Sequence, residues 1–352
     1  MLFGWGRVSK RMHFVATCIV AGGTLLSAFW ILSANSWMQT PQGFSIGEDG
    51  RLFPTSWVEI IFNPSFPYRF AHMVTAAYLS TAFVVGGVGG FYLWRKRHVP
   101  QARIMLVMAT IMAALVAPTQ LVIGHMHGEN TMHHQPAKVA AMEGNWEHRD
   151  AAPLYLFGWP DEKAEATKYG ITIPGGASWV LTGDAKGKIP ALKDFPKQDR
   201  PPVAWVFWSF RVMVGIGLLM IAIGAVSAVQ YFRGKLFESR WLHGWWMLMM
   251  PTGFVAILAG WFVTEIGRQP WTAYGVIRTL HSVSPAILGG QVAWSLLAFV
   301  VMYTLVFGAG SYYILKLIGK GIPAAEEKEQ FYRHSIEATV TEAVTQKGGD
   351  HV

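Results

Sequence analysis

An all-α bundle of about six membrane-spanning helices is the fold this sequence predicts, on three observations. Of its 352 residues, 52% are hydrophobic and only 14% are charged, whereas an ordinary soluble domain carries about 25% charged residues. The stretches 70–94, 104–128, 212–232, 241–264 and 279–315 contain no Asp, Glu, Lys or Arg. Each reaches or exceeds the roughly 20 residues a helix needs to cross hydrocarbon. The basic residues, finally, gather in alternate connections. In a soluble chain a net charge of +8 would suggest nucleic acid; here it has its source in loops that obey the positive-inside rule.

In order, the spans are expected at 13–33, 70–94, 104–124, 205–231, 245–264 and 291–315. The first follows a basic tail with Arg7, Lys10 and Arg11. Its outline, closing on Ser33-Ala34, resembles a secretory signal, but the apolar run is longer than the usual core of about 7–15 residues, so a retained helix is expected. Arg95, Lys96, Arg97 and Arg103 separate the second and third spans, and Arg233, Lys235 and Arg240 separate the fourth and fifth. The opposite short connections are poorer, with Arg51 and Arg69 in one and Arg268 and Arg278 in the other. Both termini are therefore expected in the cytoplasm. The connection 125–204 is too long for its lysines to count toward topology. A Ser/Pro/Gly-rich approach through 281–290 precedes the last span, and the polar tail after Lys320 is expected as a short cytoplasmic helix or as disorder. Cys18, the single cysteine, excludes disulfides, Cys-rich zinc sites and cysteine-held iron–sulfur clusters within the chain. Its expected role is a small buried apolar residue.

Ionisable groups are costly inside a bilayer, so each one near a span is a candidate for function. His72 lies a few residues into the second span, either as a histidine satisfied by a neighbouring helix or as an axial haem ligand. Met213 sits at a similar depth in the fourth span. A lone Met is usually packing, but a His/Met pair gives a six-coordinate, electron-transferring haem. Arg211 could offer a cation to a haem propionate, although it points about 200° from Met213 around an ideal helix. Trp261, Glu265 and Arg268, at i, i+4 and i+7, share one helical face, and Pro270 should end that helix near Arg268. They read equally as an interfacial anchor or as a redox-centre wall with Glu265 as ligand or proton carrier. The long connection opens on Gly124-His125 and holds five of the twelve histidines by His148. His127 and His134 fit no strong metal spacing. Pro136 suits the first turn of a short helix running toward His148. On it Lys138 and Glu143 lie about 140° apart, and a polar organic substrate could sit between that cation and a proton-accepting carboxylate.

With these residues in view, the chain resembles subunit I of the cytochrome bd-type quinol oxidases, bacterial terminal oxidases that reduce dioxygen with electrons from quinol. The matching segments are Ala28-Phe29-Trp30 through Gln39, Arg69-Phe70-Ala71-His72, Gln135-Pro136-Ala137-Lys138 through Trp146, Phe210-Arg211-Val212-Met213 and Gly267-Arg268-Gln269-Pro270-Trp271. The resemblance implies His72 and Met213 as axial ligands of a low-spin haem b, with Arg211 at its propionates. It implies Lys138 and Glu143 in the quinol site, Glu265 on a high-spin haem b, Trp261 as an aromatic between haems, and Arg268 at haem carboxylates. The intact complex would add haem d, take ubiquinol or menaquinol, and include subunit II, with room for a small single-span subunit. The chain then divides into three spans (1–124), an extracytoplasmic quinol-binding loop (125–204), three more spans (205–320) and a cytoplasmic tail (321–352), in a bacterial cytoplasmic membrane. The loop is similar to the short-loop branch that includes cyanide-insensitive oxidases.

The resemblance has two departures. Subunit I normally has nine spans, so about three N-terminal helices are expected to be absent, through truncation, a misplaced start or gene splitting. His125 also stands where the family usually has an acid. Two other readings stay open: a haem-b electron-transfer subunit without oxygen chemistry, and a haem-free transporter in which His72, Glu265 and Arg268 line a path.

Overall fold

A computed structural model of the chain describes residues 8–322. The chain divides into two compact units, one of residues 28–285 and one that joins 1–27 to 286–352. Within the described residues six helical stretches are long and apolar enough to cross a membrane, in agreement with the six expected spans.

The larger unit begins in the second half of α1 (Lys10–Gln39). A small hairpin of β1 (Phe44–Ile46) and β2 (Leu52–Pro54) and a short α2 (Trp57–Ile61) lead into α3 (Phe66–Trp94). Pro67 occupies the first turn of α3, where its missing N–H costs nothing. A left-handed His98 then turns the chain into α4 (Val99–His134), which runs back along α3. These two helices approach closely through small residues. A Cβ added at Gly89 would stand 3.1 Å from the Ala102 carbonyl and one at Gly86 2.9 Å from Ala109 Cβ, with Ala102 and Ala109 both buried. α5 (Pro136–Glu143), the hairpin of β3 (Leu154–Asp161) and β4 (Ala166–Ile173), and α6 (Gly176–Thr182) form the long connection. α7 (Val203–Phe232), α8 (Arg240–Met249) and α9 (Thr252–Ile266) complete the bundle, followed by a hairpin of β5 (Trp271–Ala273) and β6 (Ile277–Arg278). In the smaller unit, α10 (Gly289–Lys320) is an apolar rod with a ridge of stacked rings, Phe299 on Tyr303 and Tyr303 on Phe307.

Three expectations change. The fifth span is two helices, because Pro251 has no N–H to continue the ladder and α9 restarts at Thr252. Gly124 to His134 are helical rather than loop, since α4 meets no break until Gln135, whose α conformation the following Pro136 disfavours. Cys18 is exposed rather than buried, on a stretch of α1 with few buried side chains. The tail beyond Ile322 lies outside the described residues.

The seam of α3 with α8 is tight enough to test. A Cβ at Gly86 would collide with the Trp246 ring and stand 2.9 Å from Ala109 Cβ. Trp246 cannot yield, because its indole N–H donates to Ser227 Oγ at 3.0 Å and its ring stacks on Phe83 at 4.8 Å. Overpacking costs about 1–3 kcal/mol, against about 1 kcal/mol gained by Ala over Gly in a helix. With the collision putting the cost at about 2–3 kcal/mol, Gly86→Ala is expected to lower stability by about 1–2 kcal/mol, read as a lower thermal midpoint in detergent; an unchanged or higher midpoint would contradict this packing.

Candidate haem and quinol site

Helices α3, α4, α5, α7 and α9, with residues of α1 and α6, line a cavity of about 430 Å³. Five of the eight residues singled out in the sequence line it: His72, Lys138, Glu143, Met213 and Trp261. They come from four elements, so the helix packing, not sequence proximity, brings them together. The wall between them is largely apolar, with Leu79, Leu121, Val214 and Ile257 among its members.

His72 is held against α4. Gln120 Nε2 lies 3.0 Å from the His72 carbonyl oxygen and 3.3 Å from its Nδ1, and the His127 ring stands edge-on with centroids 5.6 Å apart. A Cβ at Gly124 would sit 3.1 Å from His72 Cε1. Across the cavity Met213 has a matching gap, since a Cβ at Gly260 would sit 3.0 Å from its sulfur. Glycine at both places leaves the imidazole and the thioether room to face the cavity.

Arg211 does not line the cavity, and reaches backbone instead. Its Nε donates to Tyr155 O at 2.9 Å and one terminal nitrogen donates to Met142 O at 2.6 Å and Phe207 O at 3.0 Å. The guanidinium also covers the Phe207 ring at 3.3 Å. It thereby ties α7 to the end of α5 and to β3, while its other terminal nitrogen is buried without a hydrogen-bond partner.

Glu265 and Arg268 pair, as their shared face predicts, with Arg268 donating to Glu265 Oε2 at 2.6 Å. The pair extends into a chain that sequence spacing did not reveal. Asn35 Nδ2 donates to Glu265 Oε1 at 2.7 Å, and Arg69 donates to Asn35 Oδ1. Two cations thus flank one carboxylate, and Arg69 Nε and Arg268 Nε and Nη1 are buried and unpartnered. Removing the carboxylate leaves those cations to repel. Glu265→Gln is expected to lower stability by about 2–3 kcal/mol, below the roughly 3–5 kcal/mol of a fully buried broken pair because Glu265 is part-exposed. Thermal unfolding in detergent checks this, and no change would show that solvent already screens the cluster.

α5 carries the other two groups. From Ala137 to Glu143 every residue is buried, and Gly144, at φ +64°, ends the helix. Lys138 Nζ donates to Gln39 Oε1 at 2.6 Å, while Gln135 Nε2 caps the Gln39 carbonyl at 2.9 Å. Burial, helped by Arg69 and Arg268 and opposed by Glu265, holds the Lys138 ammonium well below its ordinary pKa. Burial pushes the Glu143 carboxyl up, against the pull of Arg211, and its Oε2 has no hydrogen-bond partner. The two groups face one cavity but have different surroundings, the lysine among Arg69, Arg268 and Glu265, the acid beside Arg211. Asn35, Gln39, Arg69 and Gln120 were not singled out from sequence as functional, and His127 was weighed only as a metal ligand. Asn35 and Gln39 carried a signal, polar residues at i, i+4 in an otherwise apolar helix.

An imidazole and a thioether over an apolar slot, two glycine gaps and unpartnered arginine nitrogens together fit a flat iron macrocycle bearing acid side chains. The family model of cytochrome bd terminal oxidase subunit I matches residues 1–322. The chain belongs to this family. It is 36% identical over 330 residues to cytochrome bd ubiquinol oxidase subunit 1 of Bacillus subtilis (strain 168), covering 91% of this chain and 70% of the relative. It is 31% identical over 395 residues to cytochrome bd-II ubiquinol oxidase subunit 1 of Escherichia coli (strain K12), covering 93% of this chain and 76% of that one. Among solved structures, the bd oxidase from Geobacillus thermodenitrificans matches with a TM-score of 0.81 at 29% identity, over 91% of this chain and 73% of that chain. The resemblance read from the sequence motifs and the cytochrome bd family therefore agree.

Proposed function

We propose that this cavity is where the chain binds a low-spin haem b and oxidises quinol. The chain is a subunit of a respiratory terminal oxidase, a quinol:oxygen oxidoreductase that acts as a complex with a second subunit. It is an integral membrane protein that works with haem. The observation that carries the finer reading is the convergence of His72, Met213, Lys138 and Glu143 on one cavity.

In this reading His72 and Met213 would hold the iron of the low-spin haem b, and the free nitrogen of Arg211, which lies outside the cavity lining, would have to turn toward it to receive a propionate. Glu265 would serve a high-spin haem b, with haem d in the intact complex, Arg268 would meet haem carboxylates, and Trp261 would be the aromatic that conducts between haems. Bound haem supplies one-electron storage and transfer, which no side chain here offers. The protein's own residues manage protons and position. Two quinols lose four electrons and four protons, and one dioxygen takes up four of each to give two waters. Glu143, buried and with Oε2 unpartnered, is placed to accept a quinol hydroxyl proton. Lys138, fixed by Gln39, is placed to hold the quinol oxygen through an Nζ–H. The basic connections support a reading in which both termini face the cytoplasm of a bacterial cell, and in that reading protons from quinol leave on the outer side of its inner membrane. The quinol in this reading is ubiquinol or menaquinol. Subunit II is the partner, and a small single-span subunit is a further one.

The test is oxygen uptake by membranes containing the chain with its partner, driven by a short-chain ubiquinol or menaquinol, together with a reduced-minus-oxidised visible spectrum. A b-type signal with quinol-dependent uptake is expected. A b-type signal without uptake would favour an electron-transfer subunit, and no haem signal would favour a transporter.

A further inference from the structure

We propose that Gln120 is a positioning residue for His72, fixing the plane of its ring and, through the end of the carboxamide turned toward Nδ1, deciding which ring nitrogen is left to ligate iron. The inference rests on reading His72 as a haem ligand.

Gln120 and Gly124 lie one turn apart on α4 and present the same face to the imidazole. Gly124 lets the ring press against the α4 backbone, where a Cβ would stand 3.1 Å from Cε1. Gln120 supplies the polar contact there. Its Nε2 is 3.0 Å from His72 O and 3.3 Å from His72 Nδ1, while its Oε1 accepts from Thr75 Oγ1. In this arrangement Nδ1 is an acceptor, so the ring proton sits on Nε2 and that nitrogen has no lone pair for a metal.

Ligation through Nε2 requires the other tautomer, with Nδ1–H donating to an acceptor. The same carboxamide provides one by turning end for end. Oε1 then accepts from Nδ1–H, and Nε2 donates to Thr75 Oγ1, whose own proton goes to Ala71 O at 2.7 Å. The His72 carbonyl keeps its place in the α3 ladder. Turned so, the carboxamide gives up its bond to the His72 carbonyl, because Oε1 cannot donate to it, and Oε1 must swing away from that oxygen toward Nδ1. Gln120 is the group that His72 Nδ1 meets, and the carboxamide is the side chain that can serve either tautomer.

The experiment is redox potentiometry of the low-spin haem in the purified complex, with spectra, for the wild type and for Gln120→Glu, Gln120→Leu and His72→Ala. A carboxylate at 120 makes the imidazole more electron-rich and favours the oxidised iron, so Gln120→Glu shifts the midpoint down with the low-spin spectrum kept. Gln120→Leu removes the acceptor, shifts the midpoint up and turns part of the signal high-spin. Midpoints equal to the wild type, or two shifts in the same direction, would overturn the proposal while leaving His72 a ligand. A low-spin signal surviving in His72→Ala would overturn the ligand reading itself. Should the leucine variant not assemble, the downward shift in Gln120→Glu decides alone.

Discussion

His72→Ala and Met213→Leu are each expected to abolish the low-spin b-type signal and, with it, quinol-driven oxygen uptake. The two side chains line one cavity from opposite helices, each facing a glycine where a Cβ would come within about 3 Å. Loss of an outer-shell partner of a metal ligand costs roughly 10–100-fold, and loss of the ligand itself exceeds that. The comparison with Met220→Leu separates ligation from packing. Met220 also lines the cavity and is buried on the same helix, yet its replacement should leave the signal in place. A persistent low-spin spectrum in Met213→Leu would transfer the second ligand to another side chain.

Glu143→Gln is expected to lower kcat for quinol oxidation by about 10²- to 10⁴-fold, the usual contribution of a general base, with the haem spectrum unchanged. Its pH dependence gives a sharper reading. Burial raises the pKa of this carboxyl above its usual range more than the Arg211 guanidinium offsets. A proton acceptor must be ionised, so in the wild type activity rises as pH climbs through that elevated pKa. The rise should vanish in Glu143→Gln. A fall in activity over the same range, or a rise that survives the substitution, would assign proton acceptance elsewhere. Steady-state rates across pH check both.

The spans were legible because five long stretches lack any ionised side chain, and hydrophobicity sums over many residues. Where structure depended on one residue, the reading failed. Pro251 breaks the fifth span, but its neighbours on both sides are apolar, so hydropathy runs straight through it. The polar residues of 125–134 suggested a loop, although nothing before Gln135 stops α4.

The site divides in the same way. Glu265 and Arg268 were readable as a pair because helical period brings i and i+3 together. Lys138 with Gln39 is a contact across 99 residues, and Arg211 with Met142 one across 69. No local pattern encodes these. Arg211 further spends its donors on main-chain carbonyls, which every residue carries, so no side-chain motif marks its partners. The motif resemblance supplied Met213, which physical reading alone would have left as packing.

The central claim is that the cavity between α3 and α7 holds an iron between His72 and Met213. Near-infrared magnetic circular dichroism of the oxidised complex tests it most directly, because the low-spin band reports the identity of both axial ligands. Histidine–methionine ligation is predicted, and the band should be lost in Met213→Leu. A bis-histidine signature unaffected by that substitution would contradict the claim and point to a histidine such as His127, which lines the same cavity.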